Sequence, residues 1–283
     1  MPNALDLRRR IKGVKNIQKI TQAMKMVAAV RLRKAQERVK DNAPYYEGVA
    51  ALLRAIASSG EDITNPLYVP REVRRTGYVV IGADKGLAGS YGSNLVKAVQ
   101  RHSSNQENVS LVVVGRKVRD YFQRRKVAID KVYIGVSEKP GYQHARDIAQ
   151  DILAKYLAGD YDRVCLIYTR FFSPAVQQVA AEVILPITPE VEAGPQPTSA
   201  QLFEPSLASI LDEAAAAWLE AAIYRALVNA AASEVAARLH AMSLATDNAQ
   251  ELISQLILEY NKVRQANITR EISEIVGGAE ALR

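Results

Sequence analysis

A single cysteine, Cys165, stands among 283 residues, so no internal disulfide can form. The three histidines, His102, His144 and His240, are too scattered for metal-ligand spacing. A reducing compartment fits, and no metal or cofactor is expected. Cys165 lies in the apolar run Val164-Cys165-Leu166-Ile167-Tyr168, which points to a buried strand residue rather than a reactive thiol. No stretch approaches the roughly 20 uninterrupted apolar residues of a membrane-spanning helix, and the amino terminus carries charge where a signal peptide needs an apolar block. The first serine is Ser58, which argues against a serine-rich transit peptide despite the basic, acid-poor beginning. By position, neither a serine-histidine-acid set, nor paired carboxylates in a plausible cleft, nor a cysteine-histidine pair stands out, so the chain reads as non-catalytic.

What is present is an ordinary globular balance, 48% hydrophobic and 24% charged, with enough chain for one large domain or two modest ones. The absence of helix breakers is local and informative. From Ser206 to Val276 there is neither glycine nor proline, and alanine, leucine, isoleucine and glutamate dominate, which predicts one continuous helix. Its apolar positions step by three and four through Leu211, Ala214, Trp218 and Ala221, then Val228, Ala232, Val235, Leu239 and Met242. They continue through Ala249, Ile253, Leu256, Tyr260 and Val263. Arg225 and Thr246 interrupt this seam. Past Val263 the register reads Asn267 and Arg270, while apolar residues shift to Ile268, Ile272 and Ile275, so the last turns are expected to face a different partner.

A second long helix is predicted from Asn3, with Leu7, Ile11, Val14, Ile17, Ile20, Met24, Val27, Leu32, Ala35 and Val39 at helical spacing. Pro44 should break or kink it, but Val49, Leu52, Leu53 and Ile56 resume the period, giving a bent continuation to about Ser58. Between the two helices come short β-rich runs at Tyr78–Gly82, Ser110–Gly115, Lys131–Val136, Arg163–Thr169 and Val179–Leu185, the mark of an α/β sheet domain. The later helix would measure roughly 105 Å at 1.5 Å per residue, against a radius of gyration near roughly 19 Å for a compact globule of this length. It is therefore expected to protrude, paired antiparallel with the first helix.

Gly82-Ala-Asp-Lys-Gly-Leu-Ala-Gly-Ser-Tyr-Gly92 follows a strand and precedes a helix, yet matches neither the dinucleotide fingerprint nor the phosphate-binding loop. It reads as a structural turn, with Asp84 and Lys85 as surface or contact residues. The first helix is strongly basic: between Arg8 and Lys40, the residues Arg8, Arg9, Arg10, Lys12, Lys15, Lys19, Lys25, Arg31, Arg33, Lys34, Arg38 and Lys40 stand against the single acid Glu37. A solvated face, an acidic partner and nucleic acid are the competing readings. Against nucleic acid stand the lack of any aromatic before Tyr45 and the interleaving of the basic residues with a full apolar stripe.

Leu7-Arg-Arg-Arg-Ile-Lys-Gly-Val-Lys-Asn-Ile-Gln-Lys-Ile-Thr-Gln-Ala-Met-Lys-Met-Val-Ala-Ala29 strongly resembles the first helix of the ATP synthase gamma subunits. Ala245-Thr-Asp-Asn-Ala249, with the run from Tyr260 to Val276, resembles that family's carboxy-terminal helix, and Asp84-Lys-Gly-Leu-Ala-Gly89 is similar to its central motif. The resemblance implies an antiparallel coiled coil of the two terminal helices (1–58 and 206–283) with an inserted Rossmann-like α/β domain (75–190). It implies a non-catalytic central stalk of a proton- or sodium-translocating synthase, turning inside a ring of alpha and beta subunits that hold the catalytic sites. Its foot would meet epsilon and the c-ring, with no nucleic acid as partner and membrane contact only through that ring. The location implied is the cytoplasmic face of a bacterial cell membrane, as a peripheral protein.

Residue by residue, Arg264 and Gln265 resemble the pair that hydrogen-bonds a catch loop on beta, beside the plainer reading of an exposed helix face. Met24 resembles a methionine facing beta, beside a reading as core. Phe203-Glu204-Pro205 resembles the foot segment that meets the c-ring and epsilon, beside a reading as the turn that starts the second helix. Gly277-Gly278 departs from the family's single glycine and bears on the stiffness of the last turn.

Overall fold

The computed structural model describes residues 3–57, 65–104, 109–188 and 207–281. Phe203, Glu204 and Pro205 lie outside the described residues. The order of elements is α1 (Ala4–Ala57), β1 (Thr76–Ile81), α2 (Tyr91–Ser103), β2 (Val109–Val114) and α3 (Arg116–Arg124). After these come β3 (Ile129–Tyr133), α4 (Tyr142–Leu157), β4 (Arg163–Phe171), β5 (Gln177–Leu185) and α5 (Leu207–Ala281). The chain divides into two compact units: residues 1–29 with 238–283, and residues 30–237. Both long helices contribute to both units. Among the described residues no helix is long and apolar enough to cross a membrane.

The larger unit is built on a five-stranded sheet in the order β3-β2-β1-β4-β5, with the first four strands parallel and β5 antiparallel at the edge. β1 is central and buried along its whole length, as a strand covered on both faces must be. The period of two sends Val79, Ile81, Val112, Val114, Leu166 and Tyr168 to one face, where they pack with α4, α5 and the end of α1. It sends Tyr78, Val80, Leu111, Val113, Cys165 and Ile167 to the other face, under α2 and α3. Cys165 sits in that second core, and burial pushes its thiol up to about 11, so it stays a protonated packing residue. The strands fall where the β-rich runs predict them, within three residues at each end.

Pro44 does not break α1, which runs on through it. The lost N–H and ring clash cost about 3 kcal/mol in a helix interior. The turns beyond it bury Leu53 and Ile56 in the sheet-facing core, and each such burial contributes roughly 1.5–3 kcal/mol, so packing outweighs the defect. Arg225, which interrupts the apolar seam of α5, lies over the Tyr46 ring at 4.0 Å and is ion-paired with Glu182 on β5. Glu182 also accepts a hydrogen bond from the Tyr168 hydroxyl at 2.8 Å. The single seam expected in this stretch is too narrow: Leu219, Ala222, Ile223, Ala226, Leu227 and Ala230 are buried as well, because α5 covers the sheet here.

In the smaller unit the two helices are joined by polar pairs. Gln18 Nε2 donates to Gln250 Oε1 at 2.6 Å, and Thr246 Oγ1 lies 2.9 Å from Thr21 Oγ1, so numbering rises along one helix as it falls along the other. Thr21 itself donates to the Gln18 carbonyl, and Thr246 also reaches the Met242 carbonyl at 2.8 Å. The inward row on α1 is Leu7, Ile11, Val14, Gln18, Thr21 and Ala28, all buried or half-buried. Ile17, Ile20 and Val27, expected on the inward stripe, are instead 55%, 59% and 52% exposed. A row chosen by hydrophobicity alone steps off the seven-residue register wherever a polar side chain has its partner across the interface. Replacing both Thr21 and Thr246 with valine removes a satisfied pair together. It is expected to leave thermal stability within about 1 kcal/mol of the parent, read by the helical circular-dichroism signal of the full chain.

Candidate functional site

Doubly wound sheets bind ligands at the carboxyl ends of the strands where strand order reverses, here between β1 and β4. The loop leaving β1 is Gly82 to Ser90, and its chemistry is dominated by Asp84. The Asp84 carboxylate accepts the backbone N–H of Arg116 at 3.0 Å, of Gly135 at 3.0 Å and of Ser137 at 3.3 Å, with the Ser137 hydroxyl at 3.0 Å. Its own N–H donates back to Ser137 Oγ at 3.0 Å. Burial alone would raise its pKa, but these donors outweigh that and hold the carboxyl below its ordinary value. Asp84 is thus a staple between the loops after β1, β2 and β3, and it occupies the anion position at the start of α3. Lys85 pairs with Glu138 at 2.6 Å, and Arg31 reaches the same carboxylate at 3.7 Å. The reading of this motif as a structural turn takes physical form here, but Asp84 is a half-buried staple and not a surface or contact residue.

Leu87, two residues beyond Lys85, escaped the sequence reading. It is 62% exposed and holds a left-handed φ of 63°, a conformation costing a bulky residue about 1–3 kcal/mol. Ala83, Ala88 and Tyr91 pack beneath the loop and pin it. The only signal in the sequence is the pair of flanking glycines.

The candidate contact residues of the terminal helices belong to the smaller unit. Arg264 and Gln265 are both exposed, and Arg264 makes no ion pair among the described residues. Met24 is half-buried, so both readings of it remain physically available. The inward row of α5 holds through Ala249, Ile253 and Leu256, weakens at Tyr260 and Val263, and then gives way. Ile268, Ile272 and Ile275 are 47%, 55% and 71% exposed at spacings of four and three, which puts them on one outward face. The expected slip of the seam is therefore present, and the helix continues through Gly277 and Gly278 to Ala281. On α1, Arg8, Arg9, Arg10, Lys12, Lys15 and Lys19 are all exposed, beside the uncovered Ile17 and Ile20. Outward apolar stripes on helices bordered by a basic row suit a protein partner of acidic character. Among the described residues no cluster of potential metal ligands occurs.

Comparison with known proteins agrees over the whole chain. The family model described as ATP synthase matches residues 3–282. The chain is 44% identical over 291 residues to the ATP synthase gamma chain of Heliobacterium modesticaldum, and 43% identical over 283 residues to that of Pelotomaculum thermopropionicum, with 100% of both chains covered in each case. Among solved structures, a chain of the central stalk and c-ring of the Tetrahymena thermophila mitochondrial ATP synthase matches with a TM-score of 0.65 at 26% identity, over 80% of this chain and 99% of that one. A chain of the Euglena gracilis mitochondrial OSCP/F1/c-ring assembly shares the fold with a TM-score of 0.71 at 20% identity, over 99% of this chain and 94% of that one. A chain matched end to end at this identity, with the helical motifs of both termini in place, belongs to the ATP synthase gamma chain family.

Proposed function

We propose that this protein is the central-stalk subunit of an ATP synthase, the rotor shaft that transmits torque between a membrane-embedded c-ring and catalytic beta subunits. The observation that carries the reading is 44% identity across the full length of an ATP synthase gamma chain. The physical features suit the role. Two long helices meet through polar pairs that fix their register, as in an antiparallel coiled coil around an inserted α/β domain of residues 75–190. A two-helix shaft resists twist and bending better than one helix, and a shaft with unequal faces biases each surrounding subunit differently as it turns.

In this reading the chain itself carries no catalytic group, and ATP chemistry belongs to the beta subunits. Alpha and beta surround the helical end, with Met24, Arg264 and Gln265 facing beta. Epsilon and the c-ring meet the foot at Phe203, Glu204 and Pro205, and the protein is peripheral on the cytoplasmic face of the membrane. The outward face of Ile268, Ile272 and Ile275 is the surface on which the end of α5 turns.

Co-purification of the tagged chain from its native membrane tests the assignment: alpha, beta and epsilon with ATPase activity support it, and nucleic acid recovered without them removes it. The contact residues have a separate test. Arg264→Ala combined with Gln265→Ala deletes charge-assisted hydrogen bonds of roughly 1.5–3 kcal/mol and is expected to lower ATPase turnover of the assembled complex about tenfold. Subunit composition on native gels should stay unchanged. Unaltered turnover would sink the assignment of that contact.

A further inference from the structure

The chain has 13 tyrosines, and all of them fall within the described residues. Two are exposed, Tyr45 at 48% and Tyr142 at 38%, and every other one is buried or half-buried. They come from different elements, Tyr45 from α1 and Tyr142 from the first turn of α4. Folding nevertheless sets these two against each other. Their rings meet edge to face with centroids 6.3 Å apart, and their hydroxyl oxygens are 3.4 Å apart. Arg38, Asp41, Asn42 and Tyr224 complete the lining of a cavity of about 390 Å³ beside the pair, which leaves the rings room to turn and admits a small reagent.

Phenols, thiols and indoles are the side-chain groups that give up a single electron most readily. The competitors are withdrawn here, since the sole cysteine is buried in the sheet core and the sole tryptophan, Trp218, is half-buried. Burial, the Tyr45 hydroxyl and the nearby Glu220 carboxylate raise the Tyr142 pKa, so Tyr142 is a neutral phenol with a base alongside to take its proton. Phenoxyl radicals couple through the ring carbons next to the oxygen. Each such carbon adjoins the one bearing the hydroxyl, so hydroxyls in contact bring the coupling positions to within a ring rotation of each other. Tyr224 also packs on Tyr142, with centroids at 5.6 Å, but it is half-buried and less open to an oxidant.

We propose that Tyr45 and Tyr142 form an oxidative modification site, where one-electron oxidants, inorganic radicals or high-valent metal complexes, join the two rings as dityrosine. Each phenol gives one electron to one oxidant equivalent and one proton to Glu220 or to solvent. The two phenoxyl radicals pair their electrons in a carbon–carbon bond between ortho positions. The hydrogen on each coupled carbon then moves to its ring oxygen and restores the phenol. The net loss is two electrons and two protons for each cross-link, with two oxidant equivalents each reduced by one electron. Thiols do not reverse a carbon–carbon bond, so the link persists in a reducing compartment. It straps α1 to α4 at the turn where Pro44 removes a backbone hydrogen bond. The site is independent of the rotor reading, since it uses only residues of the sheet-containing unit.

The test exposes the dilute full chain briefly to photogenerated tris(bipyridine)ruthenium(III), with persulfate as the terminal electron acceptor, and isolates the monomer by gel filtration. The monomer should show dityrosine fluorescence. Tandem mass spectrometry should find the Tyr45 and Tyr142 peptides joined, with the mass of two hydrogens lost. Tyr45→Phe, at an exposed helical position, should abolish this signal with an unchanged circular-dichroism spectrum, and Tyr224→Phe should leave it at the parent level. If Tyr45→Phe fails to fold, Tyr142→Phe carries the same expectation. A monomer without dityrosine, a principal cross-link between any other pair, or a signal that survives in the folded phenylalanine variant would each overturn the proposal.

Discussion

Asp84→Ala is expected to destabilise the sheet-containing unit by about 3 kcal/mol, because it strips the acceptor from backbone donors that cost roughly 1–3 kcal/mol each when left unsatisfied. Water reaching this half-buried site recovers part of that loss, which keeps the figure below the simple sum. The donors are the N–H groups of Arg116, Gly135 and Ser137, so the change unlocks the loops after β2 and β3 together from the loop after β1. The pH dependence has a definite sign. The folded pKa of Asp84 is held below the ordinary carboxylate value of 3.8, so its contribution is fully present above that value and is lost as pH falls through the folded one. The parent should lose stability between about pH 4 and the acid limit, and Asp84→Asn should lack that part of the slope. Urea unfolding followed across this range measures both effects. A pH profile identical in parent and variant would show that the carboxylate is not the staple.

The second large effect is expected at Gly115, which ends β2 and caps α3. Its φ of 103° and ψ of 136° lie where side chains rarely go, and a Cβ there would stand 2.8 Å from the carbonyl carbon and oxygen of Gly82. Backbone strain of about 1–3 kcal/mol and overpacking of similar size together put Gly115→Ala at about 4 kcal/mol. The neighbouring backbone cannot retreat cheaply, because Gly82 N–H is bonded to the Val114 carbonyl and Lys117 N–H to the Ala83 carbonyl. Gly13→Ala is the contrasting case: on α1 nothing lies within 4 Å of the new methyl group, and better helix propensity should stabilise by up to about 1 kcal/mol. Thermal unfolding of the two variants side by side should move the midpoint in opposite directions.

These sites show how the sequence carried its information. The long stretch free of glycine and proline specified α5 without reference to anything else, since helix propensity is local. The slip after Val263 was equally readable, because apolar spacing alone reveals where the inward row stops. Residues that broke a hydrophobic pattern were harder. Arg225 and Thr246 interrupt the seam on paper, yet each finds its partner in a distant segment, at Glu182 and Thr21 respectively. The same effect displaced the predicted inward row of α1, where Gln18 and Thr21 face inward and Ile17 and Ile20 outward. Asp84 read as a surface or contact residue because its donors lie 32 to 53 positions away. Leu87 gave no sign of its strain.

The sequence by itself therefore determined the elements and the family, because propensity, apolar period and motif are properties of neighbouring residues. The tertiary structure alone decided which polar residues are staples, which isoleucines remain outward, and that the two exposed tyrosines meet. Those outcomes depend on partners brought close only by folding, where a buried charge or amide is stable when paired and costly when alone.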